Sequence, residues 1–328
     1  MKDRKFIYDI IRSIAIFFVI CIHSLGLVNK AVDEGNVVAR WTDACMSIVY
    51  SGVPLFVMLS GALLLRKEEP VTVFLNKRLS RILLPFLLWS TIVCTISYWQ
   101  DGGRSIFECV RRLIIGLCTG GVHGIYWYVY MIIGIYLITP FLRIIINHSE
   151  SRLVYLLAVL VLLISLVGKW MPQVQLFAKW NSDNIDMLFY YVTGNILVYE
   201  LQYHRFFVPI VRWSFVFLLV LQVLSRYYHL EIPMLSMALY VSMFGTLLSI
   251  PVNEKLPSRF MEGIRSVSRM SYGIYLSHFM LVSAFLKLNY FQELPLCIEP
   301  ICMASCVLLA DMVMLWMLSK IRIGKCIM

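Results

Sequence analysis

The chain of 328 residues is 60% hydrophobic and only 15% charged, which excludes an ordinary soluble domain, where about a quarter of residues are charged. Its formal net charge of +10 does not point to nucleic acid, because in a membrane chain the placement of cations matters more than their sum. Nine cysteines, odd in number and mostly in apolar segments, show neither a disulfide framework nor paired metal-ligand spacing.

Lys2, Arg4 and Lys5 precede an apolar run over 6–28. The run is too long for a signal peptide and lacks a small-residue cleavage site, so it reads as an uncleaved first span. It carries three ionisable groups, Asp9, Arg12 and His23. Each is costly in lipid, and such groups usually face a bundle interior or a water-filled cavity. Arg12 and His23 are eleven residues apart, which returns to within about 20° of the same helix face and separates them by roughly 16 Å. Asp9 lies three residues before Arg12 and can pair with it across one turn. Two plainer readings compete. Asp9 and Arg12 can anchor the helix at the interface, and His23 can serve as interhelical glue.

Hydropathy predicts an all-α polytopic bundle of about ten spans, over 7–28, 44–65, 80–99, 123–144, 153–169, 186–200, 207–225, 233–250, 270–290 and 298–320. The sixth is short and carries Asn195. With the N-terminus inside, the cytoplasmic segments hold 18 Lys and Arg against nine outside, a bias that places both termini in the cytoplasm. The loops are short, and the expectation is one integral-membrane domain over 1–328, without a soluble module.

Several stretches stand out along the chain. Gly52-Val53-Pro54 to Ser60-Gly61 puts a proline and two glycines in the second span, as in a kinked helix beside a cavity, although plain close packing predicts the same residues. Arg78 and Arg81 lie three apart at the start of the third span. Two guanidiniums on one face suit a phosphate or pyrophosphate, and equally an anionic lipid surface. Residues 106–117 read as an interfacial helix. His123, Tyr126, Trp127 and Tyr128 form an aromatic boundary that can be a membrane belt or a sugar-stacking surface. Trp170, Trp180, Asn181 and Asp183 in the outer loop 170–185, with Asp186 nearby, can touch a carbohydrate or simply sit at the interface. In the ninth span Ser271, Tyr275 and His278 share a face at i, i+4 and i+7. Asp311 is the carboxylate in the middle of the tenth, with no partner evident.

Arg12-x10-His23, Phe56-x-x-x-Ser60-Gly61, Arg78-x-x-Arg81, His123 with Tyr126-Trp127, and Ser271-Tyr272-Gly273-Ile274-Tyr275-Leu276-x-His278 together resemble the acyltransferase-3 family, in its branch without an appended hydrolase-like domain. Ser13 departs from the glycine common after the arginine. The resemblance covers residues 1 to about 320. It implies O-acylation, usually O-acetylation, in the bacterial cytoplasmic membrane. The donor substrate would be cytoplasmic acyl-CoA, with no permanently bound cofactor and no metal, and the acceptor a hydroxyl of an envelope saccharide or a small molecule. It implies Arg12 and His23 as the catalytic pair and Arg78 and Arg81 as contacts to the CoA phosphates. Asp9, Ser60, His123, Trp127, Tyr275 and His278 are further cavity residues. Histidine suits the chemistry, since a hydroxyl needs a base poised near neutrality; transient acylation of His23 is the other route. A transporter or flippase for an envelope precursor is the alternative, for which no clear inverted repeat is visible.

Overall fold

A computed structural model describes residues 6–28, 37–148, 151–170, 182–230, 232, 234–252, 256–288 and 298–320. Among these, every regular element is helical. They are α1 (Phe6–Val28), α2 (Val37–Val49), α3 (Gly52–Leu64), α4 (Val71–Gln100), α5 (Ile106–Thr119), α6 (Trp127–His148), α7 (Ser151–Trp170), α8 (Ser182–Tyr203), α9 (Phe207–Tyr227), α10 (Leu235–Leu248), α11 (Ser258–Lys287) and α12 (Glu299–Ser319), with a 3₁₀ turn at Gly124–Tyr126. The basic residues at the extreme termini, the 29–36 stretch and the loop residues Trp180 and Asn181 lie outside the described residues.

Each predicted span falls on a helix, with two changes of boundary. The second span is not one kinked helix. The chain turns at Tyr50 and Ser51, so that α2 and α3 are separate. The third begins at Val71, directly after Pro70, so Arg78 and Arg81 lie well inside α4. Proline fixes the backbone in an extended conformation ahead of the helix, and its missing amide is no loss there.

Six helical segments among the described residues are long and apolar enough to cross a membrane: Phe6–Ser24, Arg40–Leu64, Val71–Gln100, Gly124–Asn147, Phe207–Tyr227 and Glu299–Ser319. Arg152–Val167 and Leu235–Leu248 are apolar but shorter. α8 and α11 fall outside because they carry polar groups that the bundle satisfies internally. In α8, Asp186 accepts from the Ser165 hydroxyl and Asn195 accepts from Arg66 at 3.3 Å.

α1 sits centrally, packed on α3, α11 and α12. α3 in turn lies against α8 along a glycine seam. A Cβ at Gly61 would collide with the Tyr191 backbone, and one at Gly194 with the Met58 backbone. The two backbones therefore touch, an approach only glycine permits. Ser13 is accommodated: its hydroxyl reaches the Ile264 carbonyl at 3.1 Å, joining α1 to α11.

Candidate functional site

A cavity of about 620 Å³ opens between α1, α3, α4, α6 and α11. Its walls include Arg12 and Val19, Phe56 and Ser60, Ser80 and Arg81, Tyr128, Ile132 and Tyr136, and Ser268, Ser271, Tyr272 and Tyr275. The sequence places these at helical spacing: Tyr128, Ile132 and Tyr136 fall at i, i+4 and i+8 of α6, and Ser268, Ser271 and Tyr275 share one face of α11. Pro85 removes one amide from the α4 ladder. One turn earlier, the Tyr272 hydroxyl donates to the Ile82 carbonyl at 2.9 Å, which ties α4 to α11 across the cavity wall.

One end of the cavity is cationic. Arg12 donates through Nη1 to the Ser268 hydroxyl at 3.2 Å, and that hydroxyl donates to Asp9 Oδ1 at 2.6 Å. Asp9 is almost fully buried behind Arg12, so the serine links carboxylate and guanidinium and fixes the latter's direction. Arg81 is exposed at the rim. Arg78 is half-buried, its guanidinium 5.9 Å from the Phe74 ring, and its Nε has no hydrogen-bond partner among the described residues. Arg12, Arg78 and Arg81 all lie within electrostatic reach of the Tyr136 hydroxyl. Two of the three, Arg12 and Arg81, line the cavity itself.

Arg143 braces this end. Its Nε donates to the Leu64 carbonyl at 2.9 Å, its Nη2 to Glu69 at 3.2 Å, and its guanidinium lies 4.2 Å over Phe74. Burial works to raise the Glu69 carboxyl, but hydrogen bonds and charge from Lys67 and Arg143 win and hold it below the usual carboxylate range.

The other end leads to histidines. Tyr275 lines the cavity, and its ring lies 6.0 Å from that of His278. His278 is fully buried and faces His23, with ring centroids 5.1 Å apart. His278 Nδ1 lies 2.7 Å from the Tyr275 carbonyl and 3.1 Å from the Ile274 carbonyl. Carbonyls only accept, so Nδ1 carries the proton. Nε2 is then a bare lone pair, buried and without a hydrogen-bond partner among the described residues. His123 packs on Phe279 at 4.2 Å and acts electrostatically on His23. The turn that carries it is clamped to α11, the Tyr275 hydroxyl donating to the Ile125 carbonyl and the Tyr126 hydroxyl to the Leu276 carbonyl at 3.2 Å.

The acyltransferase-3 family model, described as an acyltransferase domain, matches residues 6–318. The chain belongs to this family. It is a membrane acyltransferase. No curated protein and no solved structure matches the chain.

In this acyltransferase the residues singled out in the sequence divide into three groups. Arg12, Ser60, Arg81 and Tyr275 line the cavity. Asp9, Arg78 and His278 stand outside its lining but touch or influence residues that form it; His23 and His123 lie one contact further out, His23 against His278 and both against Phe279. Trp127 is turned away into a second cavity of about 670 Å³, shared with Tyr130, Gly134, Leu188 and the end of α5. Asp311 now has a partner in the Ser277 hydroxyl. Sequence reading passed over Ser268, Tyr136 and Arg143. Extending the Ser271–Tyr275–His278 face back by three residues reaches Ser268, so its signal was present. Arg143 is braced by residues more than seventy positions away, for which no local signal exists.

Proposed function

We propose that this acyltransferase moves an acyl group, most simply acetyl, from cytoplasmic acyl-CoA to a hydroxyl on an envelope saccharide or a small acceptor. The observation that carries the reading is a cavity with Arg12 and Arg81 at one end and Tyr275 at the other, beyond which His278 and His23 face each other. Guanidiniums on the cytoplasmic side would hold the donor's phosphates through charge-assisted bonds. Arg12, fixed by Ser268 and Asp9, would steady the polar arm while the thioester reaches toward His23. In this orientation both termini are cytoplasmic, α8 and α11 complete about ten spans, and the membrane is the bacterial cytoplasmic one.

At the histidine end, His23 takes the acceptor's hydroxyl proton as its oxygen attacks the thioester carbonyl. The tetrahedral adduct collapses, releasing the CoA thiolate, which recovers the proton. In the other route His23 attacks the thioester first, expels the CoA thiolate and carries the acyl group, then passes it to the hydroxyl, whose proton goes to that thiolate. Family membership favours both over transport. Membranes given acyl-labelled CoA and fractionated into lipid, saccharide and small molecules test the reading. Label should enter one hydroxyl-bearing fraction, and His23→Gln membranes should leave it in CoA. Equal transfer by wild type and variant removes His23 from the chemistry. No transfer into any fraction by wild type removes acyl-CoA as the donor.

A further inference from the structure

Cys94 and Cys109 form a pair that acyl transfer does not use. α4 and α5 fold back as a helical hairpin, held by the Ser105 amide donating to the Tyr98 hydroxyl at 3.2 Å and by the Arg112–Asp101 ion pair at 2.7 Å. That register sets Cys109 opposite Cys94. The Cys109 thiol reaches the Thr95 hydroxyl, on the residue after Cys94, at 3.9 Å, and the two thiols are near enough to interact. Cys94 is buried and Cys109 partly open. The Arg112 guanidinium is within electrostatic reach of both sulfurs.

We propose that Cys94 and Cys109 are joined by a disulfide on the outer face of the membrane, a staple that holds α5 against the end of α4. The hairpin is at the opposite end of α4 from Arg78 and Arg81, so the outer location rests on the orientation proposed above. Outside the cytoplasm, disulfides form and persist. The staple fixes a functional surface: Cys118, Thr119 and Gly120 at the end of α5 wall the second cavity, and the Tyr130 hydroxyl donates to the Leu117 carbonyl at 2.8 Å.

The oxidant is an external disulfide. The Cys109 thiolate attacks one of its sulfurs, forming a mixed disulfide and expelling one thiolate. The Cys94 thiolate then attacks Cys109 Sγ and expels the second. The external disulfide gains two electrons, and the two protein protons leave with the released thiols.

The sequence supplies a direct readout. Trypsin cleaves after Arg81, Arg104 and Arg111, giving peptides 82–104 and 105–111, each with a single cysteine. Cells expressing the full chain are quenched with iodoacetamide at harvest, and the membrane protein is digested without reductant. The two peptides should appear linked and separate only on reduction, and Cys94→Ser should return 105–111 as the carbamidomethyl peptide. Peptides found separately alkylated in wild type, or 105–111 linked to the Cys118 peptide instead, overturn the proposal. In that event oxidised glutathione applied to the purified chain shows which part failed: linkage there means that the orientation was wrong, and free thiols mean that the pairing was. Neither result depends on acyl transfer.

Discussion

His278→Asn separates the two jobs that its imidazole can perform. The asparagine amide nitrogen takes the place of Nδ1 and can still donate to the Tyr275 carbonyl, which Nδ1 meets at 2.7 Å. What disappears is the outer part of the ring with Nε2, the unpartnered nitrogen of a residue that faces His23. The void left by those buried atoms costs on the order of 2 kcal/mol. Deleting a buried, unsatisfied nitrogen returns about the same, within the roughly 1–3 kcal/mol penalty such groups carry. The two nearly cancel, so membrane insertion and yield should stay close to wild type.

The catalytic expectation is different. If the Nε2 lone pair receives or orients the proton that His23 handles, its loss should lower kcat by about 10²-fold, the lower end of what acid–base groups contribute. Donor KM should not move, because His278 lies at the other end of the cavity from Arg12 and Arg81. The assay is single-turnover transfer from labelled acyl-CoA by purified protein. His23→Gln in the same assay should lose about 10²–10⁴-fold, and the double variant should be no worse than His23→Gln alone, as for groups that act as one unit. A His278→Asn enzyme within about threefold of wild type would show that the ring only packs, and that His23 works without it.

Three further predictions follow from the braces around the site. Replacing Arg78 and Arg81 together by Gln should weaken acyl-CoA binding at least about tenfold, or 1.4 kcal/mol, given charge-assisted bonds of about 1.5–3 kcal/mol each; isothermal titration of the detergent-solubilised protein would show it, and unchanged affinity would return these arginines to the lipid surface. Gly61→Ala should abolish folded protein, as judged by size-exclusion yield, because its Cβ collides with the Tyr191 backbone, whereas Gly134→Ala, with open space before it, should be tolerated. Glu69→Gln should lower the melting temperature at pH 7 through the lost bonds to Arg143 and Lys67. Because the folded carboxyl is held below its ordinary value, that contribution is complete above the ordinary range of about 4 and fades as pH falls through the lowered one. The wild-type advantage should therefore vanish in acid, and a pH-independent difference would mean that Glu69 acts by packing alone.

What could be read from the chain depended on where the governing interaction lay. The face joining Arg12 to His23 was legible because one helix's 3.6-residue period sets it; Arg12 and Val19 line the cavity and His23 meets His278 just beyond. The length and hydropathy that mark a span leave out α8 and α11. Hydropathy measures fitness for lipid, and these helices are partly withdrawn from lipid: Thr193 and Asn195 of α8, and Ser268, Ser271, Ser277 and His278 of α11, are buried. Three of these polar groups are answered from elsewhere in the bundle, Asn195 by Arg66, Ser268 by Asp9 and Arg12, and Ser277 by Asp311. α9 is the converse, a strongly apolar helix with few buried residues, easy to detect and distant from the chemistry. Of α8 and α11 only α11 lines the cavity; its other walls come from α1, α3, α4 and α6, which lie in segments long and apolar enough to span a membrane. A search for catalytic groups should therefore weigh the polar residues of strongly apolar helices such as α1 together with those of α11, and ask of each what partner it finds within the bundle.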